Sequence, residues 1–179
     1  PLYYNGYLTN FTLEDFITKA GLEIKVQRKY YRLTKADKSL QAVGSRGQVV
    51  DQKVEKYVRE ELPNLATLNS GDLVEIELEI DSKNDYEYLV FEDMKPAGCE
   101  PTEVRSGGKG QEGFWSNMEL RDQKVVFFVN ALGQGEHLLR YRLRAEIPGV
   151  FHALPTSLFA MYVPELRANS EECLIKIVD

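Results

Sequence analysis

The chain has 179 residues, 43% of them hydrophobic and 28% charged, and a formal net charge of -6. That length suits one core, with about two thirds of the unfolded surface buried on folding. The negative charge argues against a nucleic-acid partner, which needs a clustered basic field, and no apolar run approaches the roughly 20 residues needed to cross a bilayer, so the chain reads as soluble.

In chain order, Leu2 to Leu8 is a Tyr-rich strand candidate, and Thr12 followed by Glu14 and Asp15 resembles a helix start. Leu22, Ile24 and Val26 alternate with Glu23, Lys25 and Gln27, which predicts a strand running from Leu22 to Leu33. Thr34 to Gln48 is polar and carries Gly44 and Gly47, so it reads as a surface loop or insertion. Val50, Val54, Tyr57, Val58 and Leu62 recur at helical spacing with charged residues between them, which predicts one amphipathic helix over about 48–62, stopped by Pro63.

From Ser70 onward the sequence is a series of strands and turns. Val74, Ile76, Leu78 and Ile80 alternate with Glu75, Glu77 and Glu79; the Asp81 to Asp85 turn returns the chain as Tyr86 to Glu92. Arg105 to Gly113 reads as a Gly-rich loop, followed by a hairpin of Trp115 to Leu120 and Lys124 to Asn130. Val125 to Val129 is apolar on both faces. It is either a central strand covered on both sides, for instance by the helix, or a strand whose outer face a partner domain covers.

Gly135 to Ala145 opens a long period-two strand, with His137, Leu139, Tyr141, Leu143, Ala145 and Ile147 on one face and Arg140, Arg142 and Arg144 on the other. If this strand neighbours the Glu75 to Glu79 strand, the two rows form a charge ladder; the alternative is an Arg patch that binds a ligand. Pro148, Pro155 and Pro164 then pin a crossover, and Glu172 to Val178 supplies the last strand. The expected fold is mainly β, an antiparallel sandwich of about seven to nine strands with one amphipathic helix.

No constellation of catalytic residues is evident, and the expectation is that the chain is not an enzyme. His137 and His152 lack any partner at metal-ligand spacing, so neither a metal nor a cofactor is expected. Cys99-Glu100-Pro101-Thr102 is superficially like a thioester motif, but that chemistry needs Gln where Thr102 stands. Asp81, Lys83 and Asp85 miss the calcium-loop pattern, and Asn10-Phe11-Thr12 is a formal glycosylation sequon. Cys99 and Cys173 can pair only if the fold brings their Cα atoms within about 7 Å, and otherwise read as two buried free thiols.

The blocks GDLVEIELEI, DYEYLVFEDMKPAGCEP, VVFFVNALGQGEHLLRYRLRAEIPGVFHALP and AMYVPELRANS, with RKYYRL ending the opening strand, jointly resemble the C-terminal macroglobulin-like domain, the tenth, of bacterial alpha-2-macroglobulins. The resemblance covers roughly residues 22–179, with the helical segment as an insertion and residues 1–20 as the tail of a preceding region. It implies a macroglobulin- and immunoglobulin-like sandwich at 21–179, excised from a larger, exported bacterial protein of the periplasm, cell surface or medium. In that family a protease cuts a bait region, and a thioester in a separate helical domain captures it. The C-terminal domain packs near the thioester domain and helps to shield it. The implied partners are the neighbouring domains of the parent chain and, through the parent, target proteases.

Met161, Tyr162, Val163 and Pro164, an apolar segment stiffened by proline, are the expected interdomain contact. A competing reading of a different class is a carbohydrate-binding or adhesive sandwich that uses exposed coplanar rings among Tyr3, Tyr4, Tyr7, Tyr86 and Tyr88.

Overall fold

The computed structural model describes residues 4, 6, 16–43, 49–103, 106–111 and 114–179. Fifteen strands follow along it: β1 (Ala20–Gly21), β2 (Ile24–Val43), β3 (Val49–Leu62), β4 (Ala66–Asn69), β5 (Leu73–Ser82), β6 (Tyr86–Met94), β7 (Cys99–Pro101), β8 (Gly107–Gln111), β9 (Phe114–Leu120), β10 (Lys124–Leu132), β11 (Gly135–Ala145), β12 (Gly149–Ala153), β13 (Ser157–Ala160), β14 (Arg167–Asn169) and β15 (Cys173–Val178). Among the described residues there is no helix.

The strands form a seven-stranded sheet in the order β1-β14-β13-β6-β10-β9-β8, a five-stranded sheet β3-β2-β5-β11-β7, and a three-stranded sheet β12-β15-β4. All pairs are antiparallel except β4 with β15. The core lies where the two larger sheets face each other. Ile24, Val26 and Tyr30 of β2, Ile76, Leu78 and Ile80 of β5, and Leu139, Tyr141 and Leu143 of β11 are buried against Leu89 and Phe91 of β6, Met118 of β9, and Val125, Phe127 and Val129 of β10. Each such side chain contributes about 1.5–3 kcal/mol by leaving water. Period two is therefore what sets the register, because a one-residue slip would turn each of these faces outward. The three-stranded sheet adds Leu68, Ala153, Ile175 and Ile177 to the same core.

The predicted helix over 48–62 is a strand. β3 pairs with β2 through fourteen consecutive positions, from Val43 opposite Val49 to Tyr30 opposite Leu62. The misreading has a simple origin: positions 50, 54, 58 and 62 are four apart, which fits one face of a helix and one face of a strand equally well. Only Tyr57 demanded a helix, and in β3 it has the opposite parity. Thr34 to Val43, expected as loop, belongs to β2, and the Gly-rich Arg105 to Gly113 segment contains β8. The strand count exceeds the seven to nine expected because the proline-pinned crossover itself holds β12, β13 and β14, because β3 and β8 stand where a helix and a loop were expected, and because the short strands β1, β4 and β7 add to them. The strand expected at 2–8 and the helix start at 12–15 lie outside the described residues.

β10 sits between β6 and β9, with Val126 buried and Phe128 half-buried on its outer side, and no helix covers it among the described residues. On the same outer side the indole of Trp115, 63% exposed, lies along β8. A Cβ on Gly108 would stand 2.3 Å from its ring, and one on Gly110 3.6 Å away, so the glycines of β8 make the bed for this side chain. Gly98 serves a similar purpose in the Pro96-Ala97-Gly98 turn, where a Cβ would lie 2.3 Å from the Phe151 ring. Cys99 is buried and Cys173 partly so, and both are free thiols.

Candidate functional site

The two charged rows meet. β11 pairs with β5 so that Arg140 lies opposite Glu77 and Arg142 opposite Glu75. Arg142 Nε donates to Glu75 at 3.2 Å, and Arg140 Nε donates to Glu77. Arg144 falls opposite Leu73 and is exposed. Glu75 and Glu77, expected on a solvent face, are only 8% and 4% exposed. β3 covers them: Arg59 stacks at 4.0 Å over the Tyr31 ring and reaches Glu75 at 3.0 Å and Glu77 at 2.8 Å, and Arg142 lies over the Tyr57 ring at 5.0 Å. Burial alone would raise the Glu77 carboxyl, but hydrogen bonds and charge from Arg140 and Arg59 hold it below the usual carboxylate range. Arg140 and Arg142 are thus committed to carboxylates of their own sheet.

A second polar group lies inside the sandwich. Asp93, fully buried near the end of β6, accepts from Arg28 Nη1 at 2.6 Å, from the Tyr141 hydroxyl at 2.6 Å and from the Thr156 hydroxyl at 2.8 Å. Arg28 also donates to the carbonyls of Ala153 (2.7 Å) and Leu154 (2.8 Å). Burial opposes its charge, while Tyr30 and Asp93 beside it favour it, and the net effect is a guanidinium pKa raised above its ordinary value. The pair thereby ties β2 and β6 to the 153–156 segment that leads into β13. Ser170 Oγ, accepting from Thr156 N at 2.9 Å, completes the tie.

β13 carries the expected contact segment to the surface. It pairs with β6 on one side and β14 on the other, and then turns at Met161. Leu166 N donates to Val163 O at 3.0 Å, Ala160 N to Leu166 O at 3.1 Å, and Arg167 Nε to Pro164 O at 2.6 Å, which closes the loop on itself. Met161 N donates to the carbonyl of Tyr88, a non-glycine residue held at φ 55°. Met161, Tyr162 and Val163 are 50%, 74% and 52% exposed, and Pro164 is exposed as well. The Tyr162 ring meets that of Tyr88 edge-on, 5.3 Å between centroids. Beside them a groove of about 600 Å³ is lined by Phe159, Ala160, Met161, Pro164 and Arg167 among others.

The tyrosines do not build a flat platform. Tyr88 and Tyr162 stand at 85° to each other, Tyr86 donates its hydroxyl to Glu23 at 3.0 Å, Tyr4 is exposed, and Tyr3 and Tyr7 lie outside the described residues. The histidines stay apart. His137 contacts the Gly133 carbonyl at 2.8 Å and packs edge-on against Phe114, whereas His152 pairs with Glu172. Among the described residues no three His, Cys, Asp or Glu side chains gather into a metal-binding group. Cys99, within β7, has its thiol pushed up to about 12 by burial and is protonated at neutral pH. Glu92 and Asp93, adjacent in sequence, point to opposite faces, Glu92 to Lys124 at 2.6 Å and Asp93 to the core.

A family model for the bacterial alpha-2-macroglobulin MG10 domain matches residues 24–165, which include every element from β2 to the exposed loop. The chain belongs to that family. Solved structures similar to this chain include a mutant of Salmonella alpha-2-macroglobulin (TM-score 0.61, 20% identity, 91% of this chain and 10% of that one). Another is native Escherichia coli alpha-2-macroglobulin spanning domain MG7 to the C-terminus (0.60, 20%, 97% and 25%), and a third is E. coli alpha-2-macroglobulin in its native conformation (0.59, 20%, 97% and 10%). The chain therefore spans about a tenth of the length of two of these proteins and a quarter of the third. No curated protein matches it. Among the described residues, no helix of this MG10 domain is long and apolar enough to cross a membrane.

Proposed function

We propose that this chain serves as a non-catalytic domain of a bacterial protease-trapping alpha-2-macroglobulin, packing against the thioester domain of its parent and helping to shield it. The family match over residues 24–165 carries this reading. The contact is the Met161 to Pro164 loop with Tyr88. Three large apolar side chains there are half or more exposed, on a turn closed by its own hydrogen bonds, so docking loses little conformational entropy. The buried Arg28 and Asp93 pair holds the strand from which the loop springs. In this reading residues 1–20 are the tail of the preceding region, the parent is exported, and proteases are met only through the parent.

The test is to exchange this chain for the corresponding domain of E. coli alpha-2-macroglobulin and follow thiol release from the thioester in the presence of methylamine. The exchanged protein should retain its thioester, and a Met161→Ser, Tyr162→Ser variant should release thiol about ten-fold faster, as expected for loss of an anchoring tyrosine. Equal rates in the two proteins would count against the loop as the shield.

A further inference from the structure

We propose that the exposed face of Trp115 is a carbohydrate subsite, which takes a neutral pyranose unit of a β-1,4-linked polysaccharide. The inference is independent of the shielding role above. The indole lies face-down on β8. The position a Cβ would take on Gly108 is 2.3 Å from Cζ2, 3.0 Å from Cε2 and 3.3 Å from Cη2, and that on Gly110 is 3.6 Å from Cε3 and Cζ3. Five atoms of the six-membered ring thus rest on two glycines, while the residue is 63% exposed, with its other face to solvent. Glycine inside a strand weakens it and marks a place of close approach. Here the two glycines hold a large apolar side chain flat without taking it out of water, an arrangement that stability alone does not account for.

The neighbours of the ring decide what it can receive. Asn117, two residues on along β9 and on the same face, lies about 7 Å away. It stands opposite Gly108 on one side and Phe128 on the other. Its side chain is exposed and has no hydrogen-bond partner among the described residues, so a donor and an acceptor flank the plate. Glu119 and Arg121, further along the chain, pair with each other at 2.8 Å. An anchor of a protein interface inserts into a pocket of its partner. A ring that lies flat offers only its face, and glycine leaves no apolar shoulder around it. A pyranose with equatorial substituents fits that surface: its axial C–H groups meet the negative π face, while its hydroxyl or acetamide groups reach the Asn117 amide. The net charge of -6 disfavours an anionic sugar. β8 is the outermost strand of its sheet, which lets a polymer run past the ring, and β13 is four strands away, about 19 Å, so the Met161 loop stays free.

Cellohexaose and the β-1,4-linked hexamer of N-acetylglucosamine serve as probes, titrated into the full 15N-labelled chain. The indole N–H resonance of Trp115 and the side-chain amide resonances of Asn117 should shift together with at least one of them. The dissociation constant should be about 1 mM, since one stacked ring and one amide have to offset the cost of association. Tighter binding of one probe identifies the source, a glucan or an N-acetylglucosamine polymer. Trp115→Ala should weaken binding about ten-fold or more and Asn117→Ala about three-fold. The backbone amide spectrum reports that each variant keeps its fold. An indole resonance that neither probe moves up to about 10 mM, or a Trp115→Ala chain that binds as tightly as wild type, would overturn the proposal. So would an indole resonance that ignores both sugars and moves only when the remaining domains of the parent are added, which would make the ring a protein contact.

Discussion

Asp93 has three donors and no contact with water, and its partner Arg28 lies 65 positions away in sequence. Removing one member of a buried ion pair leaves the other uncompensated, at a cost of about 3–5 kcal/mol. Asp93→Asn should therefore lower the calorimetric melting temperature by roughly 6–20 °C. Thr156→Val, which removes a single hydrogen bond, should cost about 1–2 kcal/mol and a correspondingly smaller shift. A reversed order would show that the carboxylate is not the hub. The pairing was not legible from sequence, but its members were marked. Arg28 stands at the inward parity of Ile24, Val26 and Tyr30, and Asp93 at that of Leu89 and Phe91, so each is a charge on an apolar row that must find a partner. Met161, Tyr162 and Val163 fall in the turn between the end of β13 and β14, next to Pro164, and are half or more exposed.

Strands that alternate cleanly declared both their type and their neighbours. β5 and β11 carry opposite charges at the same period, and the ladder that follows is the one observed. β3 and β8 were misread for local reasons, β3 because four-residue spacing is common to both periodicities, β8 because its glycines serve the Trp115 ring rather than a loop. The contribution of β3 over Glu75 and Glu77 could not be foreseen once β3 was taken for a helix. Glu77 is the group to test. Its carboxyl pKa is lowered in the folded state, so it contributes stability above the ordinary carboxylate range and loses that contribution as pH falls through the lowered value. Glu77→Gln should melt lower than wild type at pH 7, and the difference should narrow below about pH 4, where wild-type carboxylates take up protons. A gap that stayed constant down to pH 2 would assign the loss to packing instead.

The whole sandwich should be more vulnerable to alkali than to mild acid. Burial pushes the Cys99 thiol up to about 12 and both the Tyr30 and Tyr141 phenols well above their ordinary value. The unfolded chain releases these protons at lower pH than the folded one, so stability is complete below about pH 9 and falls as pH rises, by about 1.4 kcal/mol per unit for each group that ionises only on unfolding. Urea midpoints measured from pH 8 to pH 11 should decline, and Cys99→Ala should flatten the earlier part of that decline; midpoints that held steady would contradict the burial of these groups. How such an experiment is read out matters, since the chain has a single tryptophan. Trp115 already faces solvent from its bed on Gly108 and Gly110, so its emission in the native state resembles that of an unfolded chain. Intrinsic tryptophan fluorescence will thus be nearly blind to collapse or loss of the core, yet directly sensitive to whatever settles on the β8 and β9 edge of the sheet.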